Sequence, residues 1–174
     1  MTVEDIAEDT AEDIVVKRQV VQQSMNFMGA LANGIEDAIG RPANSMAYVA
    51  GKKLGKSFSV DASKTDDITT ALESVRSILQ DNSCLWYFET FKPEDRDQLV
   101  QKTEEGDELL LVFRDCMIRQ TLFSYGHQQK GSLCNMMYGF FAGALENIMG
   151  RRSSLEIVHA GENACLKRLV IKKD

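Results

Sequence analysis

Four side chains in the last third of the chain carry its metal-binding and nucleophilic potential: Cys134, Glu156, His159 and Cys165. Thiolate, imidazole and carboxylate ligands in a set of four suit tetrahedral zinc. Ser132 is a plausible N-cap, which would place Cys134 in the first helical turn. There the unpaired backbone N–H groups and the helix dipole favour a thiolate. Cys134 taken alone reads first as a small buried hydrophobe. If residues 160–164 connect a hairpin, His159 and Cys165 stand opposite one another, with Cβ atoms roughly 4.5–5.5 Å apart. Glu156 joins them only through a bulge, because strand residues three apart face opposite sides. A Cys134–His159 nucleophile pair is the one enzymatic arrangement the chain offers.

These residues need a helix and a hairpin to hold them, and the sequence supplies both. The stretch from residue 133 to 149 is an apolar helix ending at Gly150, and residues 154–172 form two strands. Upstream, Ile14 to Ile39 carries Val21, Met25, Met28, Ala32 and Ile35 at spacings of four and three. Phe27 and Leu31 widen that stripe until the helix needs cover on two sides, its own core and a partner subunit. Val21, Met25, Met28, Ala32 and Ile35 are therefore the expected dimer interface. Gly40 and Pro42 end this helix. Further helices are expected over Ser45 to Lys56 and Asp66 to Leu79, the latter capped by Asp66 or Asp67.

Strands follow at Cys84 to Phe91 and at Leu109 to Phe123, separated by a short polar helix or loop over residues 93–104. The fold class is α+β: helices packed on a small antiparallel sheet, closed by a C-terminal helix and β-hairpin. Trp86, Phe88, Phe113, Phe123, Tyr138 and Phe141 are expected to line an apolar pocket between the aromatic strands and the last helix. Any one of them alone reads as ordinary core. Gly139 and Gly143 have the spacing of a close helix crossing.

Composition narrows the function classes. Six of the 26 acidic residues fall within the first thirteen positions, and the other 20 match the 20 lysines and arginines. The net charge of −6 thus belongs to an acidic tail over residues 1–13, and the single domain over 14–174 is neutral. It has no positive field to attract nucleic acid directly. No apolar run is long enough for a transmembrane segment, and no basic leader precedes one. A cytoplasmic protein is expected, at most peripheral to a membrane. Four scattered cysteines make no disulfide framework. The chain has neither a glycine-rich phosphate loop nor a GxSxG elbow, which favours a binding module over an enzyme.

The order and spacing of three stretches resemble the 4-vinyl reductase domain family, a hydrocarbon-binding family whose fold is shared with small subunits of the TRAPP vesicle-tethering complex. They are Met28-Gly29 through Ala38-Ile-Gly-Arg41, then Ala47-Tyr-Val-Ala-Gly51 with Leu54-Gly55, and last the Cys134 helix with GFFAGALENIMG and the hairpin LEIVHAGENACLKRLVI. The resemblance spans most of residues 20–172. It implies a TRAPP-subunit-like homodimer with a hydrophobic cavity, and as ligand an aromatic compound or tetrapyrrole. In zinc-bearing relatives a helix cysteine is followed by a glutamate, a cysteine three residues later and a final cysteine. That pattern falls on Cys134, Glu156 and Cys165, with His159 in place of the middle cysteine and a shorter hairpin. The implied role is a non-catalytic module that acts through a separate protein partner, in pigment handling or photosystem biogenesis. The alternative is a protein–protein assembly factor with a vestigial cavity.

Overall fold

The computed structural model describes residues 11–82, 86–114, 116, 130–161 and 164–173, with residues 11–22 as backbone only. Helix α1 (Ala11–Ile39) turns through Gly40, in the left-handed region at φ 66°, into α2 (Pro42–Phe58). Proline in the first turn of α2 gives up an N–H that has no helical partner there. Helix α3 (Ile68–Asp81) is capped by Asp67, whose carboxylate accepts the Thr70 N–H at 2.7 Å. Its Ile68, Ala71, Leu72, Val75 and Leu79 are buried. The strands β1 (Phe88–Phe91), β2 (Gln101–Lys102) and β3 (Gly106–Arg114) follow, then helix α4 (Ser132–Met149) and the hairpin β4 (Ser153–Ala160) and β5 (Ala164–Lys172).

The sheet is antiparallel throughout, in the order β1-β3-β5-β4, with β2 paired to the start of β3. Strand alternation puts Leu109, Leu111, Phe113, Cys165, Lys167, Leu169 and Ile171 on one face. That face meets α4, and the two surfaces form the core with α3. Helix α4 is apolar almost all round because it is covered twice, by the sheet and by α2. No helix among the described residues is long and apolar enough to cross a membrane.

The α+β class and the helix order agree with expectation, while the strand limits shift. β1 begins at Phe88 and β3 at Gly106, earlier than the apolar run at Leu109 suggests. Thr103 closes the tight turn before β3, donating its hydroxyl to Gly106 O at 2.9 Å. The polar stretch 93–104 is a loop that ends in β2, and its Arg96 ion-pairs with Glu108 on the outer sheet face at 3.1 Å.

α2 and α4 cross at backbone distance. A Cβ on Gly51 or Gly55 would overlap the carbonyl oxygens of Met136 and Phe140. One on Gly139 or Gly143 would overlap those of Tyr48 and Lys52. Glu146 secures the far end of the crossing with Lys52 at 2.6 Å and Lys56 at 2.9 Å. Those two lysines hold the Glu146 carboxyl below its usual range.

Gly139→Ala should therefore lower stability by about 3 kcal/mol, since backbone rather than a flexible side chain must move. For a chain of this size that is a fall on the order of 10 °C in Tm. Gly34→Ala, with open space at its Cβ, should be neutral or stabilising. Equal thermal melts for the two variants would refute the close crossing. The Glu146 bridges add stability above the ordinary carboxylate range, and that contribution disappears as pH falls through the lowered native value. Glu146→Gln should accordingly melt lower than wild type at pH 7, and the difference in Tm should shrink as the pH falls through the carboxylate range.

Candidate functional site

The four expected metal ligands are divided between the two faces of the sheet. Cys134 and Cys165 are buried on the core face. Glu156 lies on the outer face, where its carboxylate accepts from Arg168 at 2.8 Å. His159 joins it there because of a bulge: Ile157 pairs with Lys167 but His159 pairs with Leu166, which leaves Val158 as the extra residue. A regular ladder would have turned His159 inward. The bulge does bring Glu156 and His159 to one side, the side away from both cysteines. His159 faces Leu166 and not Cys165, whose partner is Ala160. Among the described residues no group of three or more His, Cys, Asp or Glu side chains could hold a metal ion. The residues present do not fit the zinc that the resemblance implies, and Cys134 and His159 do not form a nucleophile pair.

Gly131 is the N-cap of α4, so Ser132 is the first helical residue and not the cap. Its N–H donates to Glu36 Oε1 at 2.6 Å, so a carboxylate from α1 takes the anion position at this helix start. Burial pushes the Cys134 thiol up, against the opposing pull of Lys167. The helix start thus leaves Cys134 a protonated core thiol.

The aromatic residues fill the core. Phe88, Phe113 and Phe141 pack on one another with ring centroids 5.2–5.7 Å apart. Trp86 stands edge-on to Phe140 at 5.5 Å. Such mutual edge-to-face and tilted contacts satisfy the rings without a ligand. Tyr138 is drawn off to Lys167, and Phe123 lies outside the described residues.

Open apolar volume lies instead on the other side of α4. A groove of about 240 Å³ runs between α1, α2 and the start of α4. Met28, Leu31 and Ile35 form one wall, Met46 and Ala47 another, and Met136 part of the floor. Ser132 also lines it, and its buried hydroxyl has no hydrogen-bond partner among the described residues. Three of the expected interface residues, Met28, Ala32 and Ile35, thus line this groove, and Met25 packs against the core. The side chain of Val21 lies outside the described residues. On the outer side of α1, Phe27 is 70% exposed.

Sequence reasoning missed Lys167. It occupies a core-facing position between Cys165 and Leu169, is 2% exposed, and lies with its Nζ 3.2 Å from Met137 Sδ. The Phe113 and Tyr138 ring centroids are each 4.8 Å from that nitrogen. Burial lowers its pKa, only partly countered by Cys134, Cys116 and Cys165. The strand period was the available signal, since Cys165, Lys167, Leu169 and Ile171 alternate with outward residues.

No family model and no curated protein matches this sequence. Solved structures do match. The chain is similar to the phenol-responsive sensory domain of the transcription activator PoxR, crystallised with phenol, with a TM-score of 0.58 and 11% identity over 84% of this chain and 74% of that one. It is also similar to a vinyl-4-reductase family protein from Methanocaldococcus jannaschii, with a TM-score of 0.50 and 16% identity over 98% and 99% of the two chains. Likeness at these identities is likeness of fold. The protein has the α+β fold of the vinyl-4-reductase family protein, shared with a sensory domain that binds phenol.

Proposed function

We propose that the protein is a small-molecule-binding module whose groove between α1, α2 and α4 takes a compact apolar ligand, and that it works as a homodimer. The observation that carries this reading is the groove itself: an open, almost wholly apolar trough with one unpartnered hydroxyl, Ser132, in its wall. Apolar walls supply the driving force and a single placed polar group orients the occupant. The phenol bound by the PoxR sensory domain adds support by analogy of fold. The groove is smaller than the roughly 300–1,000 Å³ of a site for a drug-sized molecule. It suits one ring or a short chain. A tetrapyrrole would need a larger enclosure, such as two grooves facing one another across a dimer, and a role in pigment handling depends on that enclosure.

Dimerisation rests on α1 and the adjoining surface of α2. Phe27, Leu31, Met46 and Val49 are exposed together with Met28, Ile35 and Ile39. An apolar surface of this extent marks an interaction site. The same face would serve an assembly factor that docks a different protein, and a separate partner would read out ligand occupancy in either case.

Two measurements test this reading. Ala47→Phe should fill the groove and weaken binding of a phenol or toluene probe at least tenfold by calorimetry, with the circular-dichroism melt retained. Undiminished binding would move the ligand elsewhere. Phe27→Asp should convert a dimer to a monomer in light scattering, with Tm almost unchanged. A wild-type protein that is already monomeric would sink the homodimer and favour the assembly-factor reading.

A further inference from the structure

A second site lies on the opposite side of α4 from the groove and does not depend on what the groove binds. Buried lysines are ordinarily matched by a carboxylate, because an isolated ammonium is costly to desolvate. Lys167 has no carboxylate partner among the described residues. Its Nζ meets a thioether at 3.2 Å and two ring faces at 4.8 Å. The charged or titratable groups that act on it are the thiols of Cys116, Cys134 and Cys165. The hydroxyl of Tyr138, whose ring is one of the two faces, is buried and has no hydrogen-bond partner among the described residues. An amine and a phenolic hydroxyl therefore stand in one part of the core, and neither has an oxygen to bond among the described residues.

We propose that Lys167 and Tyr138 form a covalent site for a small aldehyde or ketone, with Lys167 as nucleophile and Tyr138 as the acid that receives the carbonyl oxygen. The amine lone pair forms a bond to the carbonyl carbon, and the C=O π pair moves to oxygen. That oxygen takes the Tyr138 proton, and the phenolate recovers one from the new N–H. The nitrogen lone pair then forms C=N as the hydroxyl leaves, and it departs as water with the remaining nitrogen proton. Amine and carbonyl give imine and water, with no oxidant or reductant consumed, and hydrolysis reverses the sequence. Burial in an apolar shell favours the neutral, nucleophilic amine. Burial also raises the Tyr138 pKa, which keeps its proton in place for donation.

The test is reductive trapping on the full-length protein at pH 6.5. Acetaldehyde and benzaldehyde are supplied separately at limiting concentration with cyanoborohydride, and sites are read by peptide mass spectrometry. Exposed lysines are almost entirely protonated at that pH, so Lys167 should be alkylated at least tenfold faster than the exposed Lys53. Lys167 lagging behind Lys53 with both aldehydes would overturn the proposal and leave the amine as a cation held by aromatic faces. Tyr138→Phe removes an unsatisfied hydroxyl and should not lower Tm. It should slow trapping at Lys167 about tenfold, and an unchanged rate would remove Tyr138 from the site.

Discussion

The backbone contact between α2 and α4 is the constraint on which the remaining architecture depends. Gly51 and Gly55 meet Met136 and Phe140, while Gly139 and Gly143 meet Tyr48 and Lys52. Residue numbers rise together along both helices, so the pair runs parallel and closes where all four glycines coincide. At that distance α4 is fixed to α2 on one side and can present Met137, Phe141 and Leu145 to the sheet on the other. Toward the N-terminal ends of both helices the glycines give way to residues with side chains, and a gap opens. Ala43, Ala47 and Ala50 of α2 face Ser132, Leu133 and Met136 of α4 across the gap, and α1 lies over it. The groove is thus the geometric remainder of a tight crossing.

Electrostatics in the core follow from burial, and magnitudes decide which effect prevails. A helix N-terminus contributes roughly 0.3–1 kcal/mol to an anion in its first turn. Desolvation of a deeply buried group can move its pKa by several units, and each unit is about 1.4 kcal/mol. Burial is accordingly the largest influence on Cys134. Glu36 shows the other outcome, because a carboxylate reaching from α1 makes a direct 2.6 Å hydrogen bond to Ser132 N–H. The same bond locates α1 against the start of α4 and so helps to set the width of the groove.

The helices were legible because their signals are local. Gly40 with Pro42, Asp67 as cap, and Gly150 in the left-handed region each end or begin a helix through their own chemistry. The hairpin was legible in extent but not in register, since one residue, Val158, decides which way His159 faces. Nothing in the composition of LEIVHAGENACL announces a bulge, which turns His159 away from the cysteines, while Glu156 lies on the outer face in either register. The aromatic residues were expected to line a pocket, yet sequence does not reveal whether rings surround a space or close it. Phe88, Phe113 and Phe141 close it. Lys167 shows the reverse case: strand alternation puts it inward, and the usual rule that lysine is solvated hides it.

Helix α1 links the groove to the outer surface. Met28, Leu31 and Ile35 line the groove, while Phe27 and Ile39 are exposed on the same helix. A ligand that seats against the first set orders the helix that carries the second. A second copy that covers the second set orders the helix that walls the first. If the proposed ligand and the proposed dimer both use this helix, each event relieves part of the ordering cost of the other, and linkage makes that coupling equal in both directions. The glycine crossing and the aromatic core lie behind this helix, and α1 keeps apolar surface uncovered, so a response to an occupant of the groove has its most direct route through α1.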